Sequence, residues 1–251
     1  MNVTFTATAD SFQTLLVSAP HADVSVRADD VTEAVIEITG PEDIVRQADA
    51  VVAAGIWTLN LPDAPASTFT TSGGNMTVGT NRGTVIQAGR VSGNVIFGGV
   101  GDVTIVNGTV QVTQVEPVTV AIRIPRGTKL ITRMQSGNLA TSGELGSVEH
   151  ESRSGDARIA HATTINAETA SGSVIVRNVE TTATVRTRSG NIDVTGGTHV
   201  TVESRSGQIY YAATADCRVN ATNRSGNINL RRFGHQVNSN TRTRSGDVHD
   251  A

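Results

Sequence analysis

The chain has little of what most folds lean on. It holds one cysteine, Cys217, so no intramolecular disulfide can staple it. Aromatic residues make up 3% of its 251 residues, too few for a broad globular core built on large rings. Only Lys129 among the 20 basic residues is a lysine. No stretch approaches the ~20 apolar residues of a membrane helix, so no membrane partner is expected. Residues Met1 to Asp10 have neither a basic start nor an apolar run. No signal peptide is read there, and the expected location is the cytoplasm. The formal net charge of −3 speaks against a nucleic-acid binder or an acidic tail, and no specific nucleic acid is expected. The charge is uneven, with 7 basic and 12 acidic residues over 1–132, then 13 basic and 11 acidic over 133–251.

What the chain does have is glycine, 25 in all, and repetition. Seven Ser-Gly pairs recur at near-regular spacing, with the glycine at Gly137, Gly155, Gly172, Gly190, Gly207, Gly226 and Gly246. Successive copies lie 17 to 20 residues apart. A repeat that short cannot bury its own apolar face, so the copies must stack. The second residue past each glycine is Leu139, Ala157, Val174, Ile192, Ile209, Ile228 or Val248. The fourth is Thr141, Ile159, Val176, Val194, Tyr211 or Leu230, and in the last copy Asp250. Polar or exposed-type residues mostly stand between, as at Arg158, Asp193, Tyr210 and Asn229. This period of two marks a half-buried strand. A second alternating run precedes each Ser-Gly, as in Ala183 to Thr187 and Val200 to Ser204.

Each repeat therefore holds two short strands and two turns. The glycine supplies a backbone conformation that other residues resist, and the Asn, Asp or Ser beside it can bond local backbone. The prediction is an all-β protein, a parallel β-solenoid (single-stranded β-helix) with rungs of 17–20 residues. Rungs stack about 4.8 Å apart, so seven make a rod roughly 30 Å long. Handedness does not follow from the pattern. A stack ending after the seventh Ser-Gly would leave an open edge with unpaired backbone groups.

The run from Val118 to Leu130 (VTVAIRIPRGTKL), followed by Ser136-Gly137-Asn138 and the later Ser-Gly-Asn and Ser-Gly-Asp turns, resembles the bacterial DUF4097 family of adhesin-like β-strand repeat proteins. The segment Leu15 to Val26 is similar to that family's opening strands. The resemblance implies the solenoid fold and an adhesin-like role. It transfers no functional residues.

Ahead of the repeats, residues 3–8, 12–18, 23–28, 33–39 and 56–61 read as strands, forming first turns and a cap. Pro41, Glu42 and Asp43 open one short helix, with Ile44, Val45, Ala48, Val51 and Val52 on one face and Gly55 as its stop. Residues 62–83 read as a break. The next segment has a period of about ten, and Asn107-Gly108 between alternating runs signals a hairpin. The expected organisation is 1–62 as strand-rich start, 63–114 as a Gly-rich insert with hairpins or smaller rungs, and 115–251 as the Ser-Gly solenoid.

The candidate site is the residue before each repeated serine. It is arginine in five copies: Arg153, Arg188, Arg205, Arg224 and Arg244. Stacking would line them up as a ladder for a regularly spaced polyanion such as a phosphate or uronate chain. Against this stands local neutralisation, the more ordinary arrangement. Glu151, Glu168 and Glu203 lie two residues earlier on the same side, and Asp156 and Asp247 lie across the turn.

No other chemistry-bearing constellation stands out. The six histidines are scattered, with His150 and His161 flanking one rung, and no metal or cofactor is expected. Tyr210 and Tyr211 alternate out and in, so at most one could stack on sugar. No catalytic residues are read, and the chain is expected not to be an enzyme. A carbohydrate-active β-helix is the distant rival, lacking the paired acids that chemistry needs. The expected function is a non-enzymatic structural or binding scaffold that presents a solenoid face to a protein or polymer partner. The alternative is an end-to-end assembly element, a homo-oligomer through the open C-terminal edge.

Overall fold

The computed structural model describes residues 1–63 and 117–251, together with the backbone of five strands between them. The N-terminal part runs β1 (Asn2–Thr8), β2 (Thr14–Ser18), β3 (Ala22–Asp29), β4 (Glu33–Thr39), α1 (Glu42–Val45), β5 (Asp49–Ala53) and β6 (Ile56–Asn60). The middle strands are β7 (Met76–Val78), β8 (Val85–Ala88), β9 (Val95–Phe97), β10 (Asp102–Val106) and β11 (Thr109–Thr113). Then come β12 (Val118–Pro125), β13 (Lys129–Met134), β14 (Leu139–Ser142), β15 (Glu144–Ser154), β16 (Ala157–Ser171), β17 (Val174–Ser189), β18 (Ile192–Gly196) and β19 (His199–Ser206). The last are β20 (Ile209–Ala212), β21 (Cys217–Ser225), β22 (Ile228–Arg231), β23 (Val237–Ser245) and β24 (Val248–Asp250).

The pairings resolve into two walls joined at the Ser-Gly corners. One wall carries the strands that lead into each corner: β2, β13, β15, the second halves of β16 and β17, β19, β21 and β23, all parallel. The other carries the strands that leave it: β3, β14, the first halves of β16 and β17, β18, β20, β22 and β24, also parallel. Equivalent residues lie one over another. Val174, Ile192, Ile209 and Ile228 pair in that order and all four are buried. So do Val176, Val194, Tyr211 and Leu230. The solenoid read from the repeat is the fold.

The corner explains the invariance of the repeated glycine. Gly190 has φ +145° and Gly207 +136°, backbone that side-chained residues avoid. A Cβ on Gly207 would stand 2.0 Å from the carbonyl oxygen of Gly190 in the rung before it, and one on Gly190 would stand equally close to Gly172. Only glycine lets the rungs close to strand spacing. The residue after the glycine does more than bond locally, because its side chain reaches the next rung. Asp23 Oδ1 accepts from the backbone N–H of Asn138, Asn138 Oδ1 from that of Asp156, and Asp156 Oδ1 from that of Ser173. Asn191 does the same for Gln208, and Asn227 for Asp247.

The first half departs from sequence order. Strand β6 pairs parallel to β2, and β12 pairs parallel to β3 on its outer side. The rung β2–β3 therefore lies between the rung of β6 and β12 and that of β13 and β14. Antiparallel strands finish this end, with β5 on β6, β4 on β12 and β1 on β4. The helix expected to reach Gly55 is a single turn, Glu42–Val45. Val51 and Val52 lie instead in β5, a hairpin partner of β6 closed by Ala54 and Gly55 at positive φ. Pairing with β6 overrides helical periodicity, because the turn at 54–55 presents the segment to an open sheet edge. The one turn suffices to cross from one wall to the other, and it buries Val45 in the core cluster. Phe12 and Trp57, two of the few aromatics, meet here at 5.2 Å between ring centroids.

In the middle segment Met76 pairs with Val95 and Val85 with Val103, both parallel. Those spacings, 19 and 18 residues, are those of the main repeat rather than ten, since ten residues span only one strand and its turn. Strands β10 and β11 form an antiparallel pair with Val106 opposite Thr109, as the hairpin reading required. The Asn107-Gly108 turn itself, and most of the break read at 62–83, lie outside the described residues.

At the other end the inward positions turn polar. In β23 they are Ser239, Thr241 and Thr243 after Val237, and in β24 Asp250 follows Val248. Arg232 folds over this rung. It donates from Nε and Nη2 to the two oxygens of Asp250 at 2.6 and 2.5 Å, and from Nη1 to the carbonyl of Val237 at 2.8 Å. The guanidinium holds the Asp250 carboxyl below the usual carboxylate range. Asp250 is thus tied down at this edge by Arg232, next to an exposed His249.

Candidate functional site

The strands that lead into the corners place three residues per rung on one strip of surface. The middle residue turns inward, in the series Ser152, Thr169, Thr187, Ser204, Asn223 and Thr243. Its neighbours on either side turn outward. One outward column is Glu151, Glu168, Arg186, Glu203, Thr222 and Arg242. The other is Arg153, Ala170, Arg188, Arg205, Arg224 and Arg244, held in register by the paired serines that follow them. All five candidate arginines thus share one column, broken only by Ala170.

Between and over these columns runs an open groove of about 1250 Å³, which all five arginines line. Its charge is graded. Over the earlier rungs Arg133 and Arg153 face Glu151 and Glu168, so the lining is neutral. Over the later rungs Arg186, Arg188, Arg205, Arg224, Arg242 and Arg244 face Glu203 alone, a net of +5. The whole chain carries −3, which leaves −8 for everything else.

Local neutralisation, the ordinary reading of this pattern, is realised once among the described residues of the strip. Arg186 Nε meets Glu203 Oε2 at 3.1 Å. The acids expected to serve the other arginines are engaged elsewhere or stand apart. Asp156 pairs with Arg158 at 3.5 Å and accepts from Ser173. Asp247 donates from its backbone N–H to Asn227 Oδ1. Among the described residues Arg153, Arg188, Arg205, Arg224 and Arg244 make no ion pair. Beneath them, Ser204 Oγ and Asn223 Oδ1 are buried with no hydrogen-bond partner among the described residues. The sequence carries this inward series in the small polar residue that recurs just before each arginine.

The remaining candidates separate. His150 points inward and is buried, its Nδ1 2.8 Å from Thr132 Oγ1, while burial lowers its pKa to about 4. His161 points outward and meets Glu180 at 3.0 Å. The two share no ligand geometry, and no group of three metal-ligating side chains occurs among the described residues. Tyr210 is exposed and Tyr211 buried, as their alternation predicted. The Tyr211 hydroxyl reaches Cys217 Sγ at 3.2 Å, which accounts for the cysteine's half-buried place against the core. Among the described residues, no helix is long and apolar enough to cross a membrane.

No curated protein matches the chain. Solved structures do, at low identity. One from Bacteroides fragilis, described as a "putative adhesin", aligns at 12% identity with a TM-score of 0.63, over 100% of this chain and 97% of its own. One from Parabacteroides distasonis, described as a "putative lipid binding protein", aligns at 11% identity with a TM-score of 0.51, over 99% and 94%. A second P. distasonis structure, again a "putative adhesin", aligns at 10% with a TM-score of 0.50, over 100% and 97%. At such identities the likeness is one of fold. A family model, Toastrack DUF4097, matches residues 63–251 and so takes in the middle strands along with every Ser-Gly rung. The chain belongs to the DUF4097 family.

Proposed function

We propose that this protein is a non-enzymatic binding scaffold, and that its recognition face is the arginine-lined groove along the corner-leading wall. One observation carries the reading: four consecutive rungs stack Arg188, Arg205, Arg224 and Arg244 in register, and among the described residues the one acid on these rungs of the strip, Glu203, pairs with Arg186 instead. Like charges directly opposite each other destabilise a sheet. A surface lattice maintained for stability would alternate signs, as Arg186 and Glu203 do. The adhesin descriptions of the similarly folded proteins agree with a scaffold whose side face meets a partner.

The test compares the native chain with R188Q/R205Q/R224Q/R244Q on a panel of immobilised macromolecules: a neutral glucan, a cationic glycan, an anionic glycan and a denatured protein. At least one material should retain the native chain and release the variant. The variant's Tm should stay within about 2–4 °C, the shift that 1 kcal/mol produces in a chain of this size. Equal retention of both proteins would place binding elsewhere. A large drop in Tm would make the arginines structural.

A further inference from the structure

We infer that the groove takes a linear anionic polysaccharide, lying along the solenoid axis with its carboxylates against the arginine ladder. This rests on the groove being the recognition face and names its occupant. The ladder is regular, because every rung repeats its corner in register, and its step is the strand spacing of about 4.8 Å. A matching ligand must be extended and must carry anions at short, regular intervals. A polyuronate does so with one carboxylate per sugar, and its carboxylates fit the guanidinium fork bidentately. The +5 confined to four rungs of an otherwise acidic molecule directs such a chain to this strip and repels it from the rest.

Two features favour a glycan over a nucleic acid. Among the described residues no aromatic side chain lines the groove, so bases would find no stacking platform there. Each strand of a duplex carries a phosphate about every 3.4 Å and winds away from a straight line, out of step with the ladder. Thr222, outward among the arginines, offers a hydroxyl that matches those of a sugar.

The experiment measures binding of the full chain to oligogalacturonates of increasing length, by calorimetry across a salt series. Affinity should rise with each sugar until the oligomer spans the four rungs, roughly 15 Å, and then level. The slope of log K against log salt should be about −3, near 0.7 for each of four arginines. R188Q/R205Q/R224Q/R244Q should lose at least about tenfold in affinity and most of that slope. Ala170→Arg fills the gap between Arg153 and Arg188, and should move the levelling point to longer oligomers. Inorganic polyphosphate and oligo-dT serve as comparison ligands. Tighter binding of either, or an affinity that ignores oligogalacturonate length, overturns the inference. Variant-sensitive retention on another material, with none on polygalacturonate, sinks the occupant and spares the groove. No retention on any material sinks the groove as well.

Discussion

At one inward position of the corner-leading wall the solenoid stacks a histidine where later rungs carry Ala167, Val185, Val202 and Ala221. His150 is nearly sealed from solvent, with Thr132 on one ring nitrogen and no hydrogen-bond partner on Nε2 among the described residues. A charged imidazole there would lose its hydration without a counter-ion, so burial lowers its pKa from 6.5 to about 4. As the folded-state value lies below the unfolded one, the unfolded chain takes up the proton first. The contribution is therefore intact above about pH 7, declines as pH falls through 6.5, and stops declining near 4. The full loss is about 3 kcal/mol for a shift of that size. Chemical denaturation of the native chain and His150→Val at pH 7 and pH 4.5 should show the native chain losing more stability than the variant. Parallel losses would contradict a buried neutral histidine. The alternation of Tyr210 and Tyr211 was legible in the sequence because a strand has only two faces. The inward place of His150 follows the same rule, yet composition alone files histidine with the surface.

The rung corner is the element on which stacking depends, and it separates two roles of glycine. Gly207 combines positive φ with a carbonyl oxygen 2.0 Å from where a Cβ would stand, whereas Gly234, at φ +84°, has nothing within 4 Å. Gly234→Ala should cost about 1 kcal/mol, for conformation alone. Gly207→Ala must also push two rungs apart and should cost more than the 1–3 kcal/mol of backbone strain. Urea midpoints of the two variants make the comparison, and equal costs would show that the corner tolerates a side chain. The repeat revealed this glycine as a turn former. It did not reveal that the nearest obstacle is the preceding copy of itself, which depends on how closely the rungs approach. Helix α1 and strand β5 teach the same lesson in reverse: Ile44, Val45, Ala48, Val51 and Val52 do fit a helical face, but an available edge on β6 claimed the last two.

Across the whole molecule stability is distributed rung by rung. Strands β16 and β17 are flanked on both sides and send apolar residues inward, whereas β23 and β24 are flanked on one side and are largely exposed. A stacked array opens from its weakest end, with each rung answering mainly to its neighbours. Hydrogen exchange should therefore release the amides of Val237–Ser245 and Val248–Asp250 first and those of Val174–Ser189 much later. Simultaneous release would mean that the chain opens as one unit. The same one-dimensional order turns a single residue type at one repeat position into a charged strip, which is how Arg188, Arg205, Arg224 and Arg244 become one surface.

By itself the sequence determined the rung, its two strands, its glycine corner and the column of inward residues. These are local consequences of a period of two and a repeat of 17 to 20, and parallel in-register pairing copies each onto the next. It also located the five arginines in one column. Only the tertiary structure decided which acids they meet, because a carboxylate two residues away on a strand can turn to another rung, as Glu203 does to Arg186. Only the tertiary structure, too, threaded β2 and β3 between rungs that follow them by more than forty residues, since β6, β12 and β13 choose their partners by open edges and not by distance along the chain.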